Sequence, residues 1–337
     1  MSVLLSVKNL SFHYGKDAIP LTDVSFDVEA GFGVGLFGPN GSGKSSLLNI
    51  LGGHLAAIRG SISINGIDVT QTPADLRPTA TVFQDLGLFP HLSCEGNVEI
   101  AAKKKGRTGV RSDGNSVKAI IDSLKLEGQG RKMPGEMSGG MQQRCAIARS
   151  LACGPKVLLM DEPTASLDID AKRRLSRLIR QLQRDNGEVA IVVVSHDLPF
   201  LMETCSNLLI LDGGCVVTHG RVDDLFYRPP SIRAAELLGV ENIISRKFSL
   251  GEPDGGRLGF RSLHSKASLT RSHGSDEICF EGKCLEVFSS PPRKLITISL
   301  APGIEIEATW PVETEPAHRG THVFASVPKS RVIEFPI

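Results

Sequence analysis

Gly38-Pro39-Asn40-Gly41-Ser42-Gly43-Lys44-Ser45 is the stretch whose reading decides the fold. It fits the pattern G-x-x-x-x-G-K-[ST], and its flanks agree with its letters. Upstream, Gly33-Val34-Gly35-Leu36-Phe37 reads as a short buried strand; downstream, Ser45-Ser46-Leu47-Leu48-Asn49-Ile50-Leu51 reads as an amphipathic helix. Glycines let the backbone curl until successive N–H groups point at one phosphate, and the helix N-terminus adds partial positive charge. The residues from Gly38 through Pro39, Asn40, Gly41, Ser42 and Gly43 to Ser46 therefore form the candidate phosphate cradle of a nucleoside triphosphate site. Within it Lys44 can reach the β- and γ-phosphates, and the Ser45 hydroxyl can ligate Mg²⁺.

A second motif sits where the first one needs it. Val157-Leu158-Leu159-Met160-Asp161-Glu162 is four apolar residues ending in two carboxylates. A buried strand delivers such acids to its carboxyl end, where open α/β sheets place their ligands. Asp161 suits indirect coordination of Mg²⁺, and Glu162 suits polarising the water that attacks the γ-phosphate.

The bulk numbers narrow the function classes. A chain of 337 residues is long enough for two domains. Lys and Arg number 38 against 37 Asp and Glu, so no global basic field points to nucleic acid. No apolar run reaches the roughly 18 residues that span a bilayer. The N-terminus lacks the basic start and long apolar stretch of a signal peptide. The seven cysteines form no metal-ligand spacing. A cytoplasmic location is the expectation.

Residues 1–30 alternate apolar and polar (Leu4, Val7, Leu10, Phe12, then Val24, Phe26, Val28), which predicts an antiparallel β-layer. From residue 33 continuous apolar strands alternate with helices, predicting a parallel α/β core with strands near 33–37, 80–84, 157–161, 190–195 and 207–211. Residues 95–132 interrupt this core as a helical insertion; Lys103-Lys104-Lys105 and the loose run from Gly106 to Asn115 read as its solvated part. Residues 236–276 read as a linker, and short alternating runs over 277–337 predict a small β-barrel or sandwich.

Met137-Ser138-Gly139-Gly140-Met141-Gln142-Gln143-Arg144, ahead of a helix with Ala146, Ile147, Ala148 and Leu151 on one side, completes the set. With the phosphate loop and the Asp-Glu strand, it resembles the nucleotide-binding subunit of an ABC transporter over residues 3 to about 235. Met137 and Met141 depart from the usual Leu and Gln, while the anion-binding Ser-Gly-Gly is intact. The resemblance implies an ABC cassette in residues 1–235, with antiparallel β-layer, parallel core and a helical subdomain near 90–136. An OB/TOBE-like domain would follow.

The same resemblance implies the remaining roles. Tyr14 would stack on adenine, and Gln84 would contact Mg²⁺ and water and abut the membrane partner. Asp168, in Ser166-Leu167-Asp168, would act across a dimer, and His196 would touch the γ-phosphate. Ser138, Gly139 and Gly140 would close on ATP held by a second copy, head to tail. The expected partners are that copy, transmembrane permease subunits and, indirectly, a solute-binding protein, at the cytoplasmic face of the membrane. Phe83 to Ser93 resembles importer subunits for polyamines, ferric iron, sulfate and molybdate. Gly96-Asn97 and Leu237 to Ile243 narrow that resemblance to molybdate or tungstate. A soluble ABC ATPase outside transport and an ATP-switched binding module are the readings from other classes.

Overall fold

The computed structural model describes residues 2–15, 21–104, 114–185, 187–250, 255–272 and 274–335. The chain divides into two compact units, Met1–Val222 and Asp223–Ile337.

The first unit is built on a ten-stranded sheet. Its elements in chain order are β1 (Val3–Phe12), β2 (Leu21–Glu29), β3 (Gly33–Phe37), α1 (Lys44–Leu51), β4 (Arg59–Ile64), β5 (Ile67–Asp68), β6 (Thr79–Val82), α2 (Cys94–Lys104), α3 (Gly114–Ser123), α4 (Gly139–Ala152), β7 (Val157–Asp161), α5 (Ile169–Asp185), β8 (Ala190–Val194), α6 (Leu198–Thr204), β9 (Asn207–Asp212) and β10 (Cys215–Arg221). The spatial order is β5-β4-β1-β2-β10-β9-β3-β8-β7-β6. One edge is the expected antiparallel layer: β1 pairs with β2 and with β4, and β4 with β5. The other is parallel, running β9-β3-β8-β7-β6.

Each half has the side-chain pattern its surroundings require. β2 alternates buried and exposed positions, as a sheet wetted on one face must. β8 is buried at all five positions, because helices cover a parallel sheet on both faces. α1 seats Leu47, Leu48, Ile50 and Leu51 in the same apolar core as Leu36, Leu159 and Val192. The helical insertion is present as α2 and α3, with Cys145, Ala146, Ile147 and Ala148 of α4 buried. Lys103 is exposed at the end of α2, while Lys105 and the following run to residue 113 lie outside the described residues.

The second unit starts with α7 (Val222–Tyr227) and α8 (Ile232–Leu237). Its strands are β11 (Asn242–Ser245), β12 (Ser249–Leu250), β13 (Arg257–Phe260), β14 (Lys266–Ser268), β15 (Glu277–Ser290), β16 (Arg293–Ala301), β17 (Ile304–Trp310), β18 (His322–Pro328) and β19 (Ile333–Phe335). β15, β16, β17, β14 and β18 follow one another and β18 pairs back on β15, so five strands close a small barrel with β12 added at β15. β11, β13 and β19 make a separate three-stranded sheet.

The stretch 236–276 is not a linker. It supplies four strands, β11 to β14, and β14 closes the barrel between β17 and β18. A three-residue strand has too few positions for alternation to register, and its partners lie more than forty residues further along the chain. Within 277–337 the long strand β15 is interrupted in its alternation by a register shift between Cys284 and Glu286. There Gly282 admits the neighbouring chain: a Cβ would stand 2.4 Å from the Ser299 carbonyl oxygen.

Phe260 of β13 and Phe280 of β15 stack at 5.1 Å, both fully buried, and tie the three-stranded sheet to the barrel. Phe280→Ala should cost about 3–5 kcal/mol. Calorimetry is expected to show the transition of the C-terminal unit falling, with that of the first unit little changed.

Candidate active site

Four parallel strands end side by side and aim their following residues at one cleft. Phe37 ends β3 and leads to the phosphate loop; Val194 ends β8 and leads to Ser195 and His196; Asp161 ends β7; Val82 ends β6, two residues before Gln84. The register pairs Asp161 with Val194 and Leu36 with Val194, so the ends are level. The cleft, about 510 Å³, brings together Tyr14, Asn40, Lys44, Ser45, Gln84 and Glu162.

The loop geometry explains its glycines. Gly38 has φ +147°, and a Cβ there would stand 2.0 Å from the Leu211 carbonyl oxygen. Gly43, the residue before α1, has φ +97° and packs on Leu21. Gly41, at φ +79°, has open space where a side chain would point, leaving room for a ligand against the backbone. Lys44 is buried and donates from Nζ to the carbonyls of Gly38 and Pro39, both at 2.8 Å, so its ammonium lies folded over the loop. The Ser42 hydroxyl is buried with no hydrogen-bond partner among the described residues, an orphan that a phosphate oxygen would satisfy. Tyr14, 62% exposed, stands edge-on to Phe12 at 4.7 Å and accepts a hydrogen bond from Ser46 at 3.3 Å, over the start of α1.

The carboxylate pair is crowded. Burial pushes the Asp161 carboxyl up, the negative Glu162 pushes it further, and Lys44 and a hydrogen bond with Ser45 act against both. Burial likewise lowers the Lys44 ammonium, with Glu162 and Asp161 drawing it back up. Glu162 sits at φ +44°, a left-handed turn that a glutamate adopts at a cost of roughly 1–3 kcal/mol. That turn lets its backbone N–H bond the Val194 carbonyl at 2.9 Å while its side chain swings toward the loop after β8. Its Oε2 lies 2.9 Å from His196 Nδ1 and accepts longer bonds from the Ser195 hydroxyl and the His196 N–H, both at 3.4 Å. The oxygen donors of Ser45, Gln84 and Asp161 are the hard ligands that Mg²⁺ prefers, beside an acid whose burial disfavours bare charge.

Four expected site residues lie elsewhere. Ser138 caps α4, its Oγ accepting from Met141 N at 3.4 Å, and Gly139 beside it is exposed, with open space where a Cβ would point; neither lines the cleft. A Cβ at Gly140 would stand 3.7 Å from that of Ala171. Asp168 is spent on capping α5 through the Ala171 N–H at 2.6 Å.

Sequence reasoning missed several supports. Lys172 grips Asp197 at 2.6 Å, and Asp197 caps α6 and takes up Ser195 Oγ through its own N–H. The signal was adjacent: Asp197 follows His196, and Lys172 falls one helical turn after Asp168. Arg149 of α4 donates to the carbonyls of Leu86 and Gly87 and lies over Phe89, clasping the loop after Gln84.

A family model described as ABC transporter matches residues 21–165. A sulfate/thiosulfate import ATP-binding protein of Halalkalibacterium halodurans is 34% identical over 248 residues, 73% of this chain and 69% of its own. An Fe(3+) ions import ATP-binding protein of Rhizobium etli is 37% identical over 227 residues, 67% of this chain and 63% of its own. A dimeric ATP-binding cassette solved with ADP and phosphate superposes with TM-score 0.55 at 28% identity, over 65% of this chain and 99% of that one.

Gly38→Ala brings a methyl group against the Leu211 carbonyl and should distort the cradle. At about 1.4 kcal/mol per tenfold, strain of 1–3 kcal/mol weakens nucleotide binding by roughly 5- to 150-fold. Titration with a fluorescent ATP analogue measures it, and unaltered affinity would remove the loop from the binding site.

Proposed function

The chain belongs to the ABC transporter family as an ATPase subunit, and from that premise we propose that it energises import of a small solute, a tetrahedral oxyanion. The observation that carries the ATPase reading is the convergence of Lys44, Ser45, Gln84 and Glu162 on one cleft at the carboxyl ends of parallel strands. The Gly38–Ser46 cradle holds the phosphates, with Lys44 leaving the Gly38 and Pro39 carbonyls for the β- and γ-phosphates. Tyr14 covers adenine. Ser45, Gln84 and Asp161 would hold Mg²⁺, which when bound would neutralise charge on the phosphates. Glu162 takes the proton of the attacking water, and His196, hydrogen-bonded to Glu162, faces the γ-phosphate.

Ser138 and Gly139 are exposed, Gly140 is half-buried, and all three lie outside this cleft, which supports their use on ATP bound by a second copy in a head-to-tail pair, with Asp168 nearby at the start of α5. Anion binding at the N-terminus of a 14-residue helix supplies the attraction. The permease meets a groove of about 530 Å³ beside Gln84, where Phe83, Phe89 and Ile100 are exposed. No helix among the described residues is long and apolar enough to cross a membrane. Similarity to import ATP-binding proteins supports a place for this chain against a permease at the cytoplasmic face.

The cargo rests on less. The sulfate relative supports the oxyanion class, of which molybdate and tungstate are the narrower members, and the ferric relative keeps iron as the alternative, with polyamine behind it.

Glu162→Gln should bind ATP yet lower turnover by about 10²–10⁴-fold and trap a dimer. Phosphate release and size-exclusion chromatography measure both, and fast hydrolysis by the variant sinks the role given to Glu162. In cells at limiting supply, the same variant is expected to lose sulfate, molybdate or tungstate uptake. Retained oxyanion uptake with loss of iron or polyamine uptake would overturn the cargo.

A further inference from the structure

We infer that the C-terminal unit carries a second anion site, a cleft of about 400 Å³ built for a small tetrahedral oxyanion, free or as the phosphate of a small metabolite. The cleft lies wholly within that unit, between the end of α7 and the turn before β19. Its walls carry Arg228, Arg261, His264 and Arg331, with the Tyr227 ring and Ser330 at the edge.

Arg261 is fixed in the wall. It is 7% exposed, lies 3.9 Å over the Phe226 ring, and donates to the carbonyls of Gly239, Leu238 and Phe226 at 2.8, 3.0 and 3.3 Å. Closing the end of α8 accounts for that residue alone. It leaves unexplained why Arg228 and Arg331, both exposed, face the same space with no carboxylate partner among the described residues. His264 feels the crowd: burial, then Arg331, Arg261 and the nearby Arg293, hold its imidazole below the usual range, opposed only by Glu241. Glu241 is occupied by the N–H and hydroxyl of Ser262. Glu334, the one lining carboxylate among the described residues, turns to Arg246 at 2.8 Å.

Like charges gathered without counter-acids repel one another, and an anion relieves that repulsion. Guanidinium groups suit the task, because their planar donor forks match oxyanion geometry. The space exceeds a bare tetrahedral ion, so it also admits a phosphate ester.

The test uses the full chain carrying Lys44→Ala, which weakens the ATP cradle. Calorimetric titration with inorganic phosphate, sulfate, molybdate and glycerol 3-phosphate should show saturable binding. Adding Arg228→Ala with Arg331→Ala should weaken it at least tenfold. Equal or tighter binding of the free ions assigns a free oxyanion; preference for the ester assigns a phosphorylated metabolite. No saturable binding by any of the four, or affinity unaltered by the arginine replacements, overturns the site. With Lys44 intact, the arginine double variant should hydrolyse ATP at the parent rate without added oxyanion; a collapse there would show the two arginines serving the cassette instead.

Discussion

The level ends of β3, β8, β7 and β6 are the constraint from which the rest of the first unit follows. Each strand is held by hydrogen bonds to the next, so none can slide without moving its neighbours' side chains to the wrong face. The phosphate loop, the Asp161–Glu162 pair, His196 and Gln84 each begin within a few residues of such an end. Sites built this way inherit their geometry from a buried ladder rather than from surface loops. That is why four segments separated by up to about 160 residues of chain can meet within one cleft.

The site also stores tension. Two half-buried carboxylates stand adjacent, and the lysine between them and the loop is itself desolvated. Burial opposes the charges of Asp161 and Lys44, and the partly compensating Lys44 spends its hydrogen bonds on loop carbonyls. A bound triphosphate with its cation would redistribute this set: the lysine would gain phosphate oxygens, the orphaned Ser42 hydroxyl an acceptor, and Asp161 a positive neighbour. Glu162 is spared from that exchange by its left-handed backbone, which turns its side chain toward Ser195 and His196.

Much of this was legible because its signals are local. The glycines of the loop, the apolar run before Asp161 and the Ser-Gly-Gly before α4 each carry their physics within about ten residues. What stayed hidden depends on distant partners. β14 closes the barrel through contacts with β17 and β18, yet its own three residues show no pattern. Arg149 belongs to the helix that Ser138 starts, and its grip on the Leu86 and Gly87 carbonyls joins the two regions mechanically. An arginine in an amphipathic helix reads as solvated until the loop beneath it is seen.

The residues that narrowed the cargo in sequence turn out to have structural employment. Asn97 is fully buried and ties the loop before α2, accepting from the Phe89 N–H at 2.8 Å and donating to the carbonyls of Phe89, Leu92 and Ser93. Asn242 does the same for the C-terminal unit, bonding both N–H and carbonyl of Glu307. A buried asparagine that satisfies several backbone groups is costly to replace whatever solute is carried, since each orphaned group costs about 1–3 kcal/mol. Neither residue lines the nucleotide cleft, the groove beside Gln84 or the arginine-lined cleft. Such positions hold the motor's shape, and choice of cargo has to be exercised by surfaces that meet it.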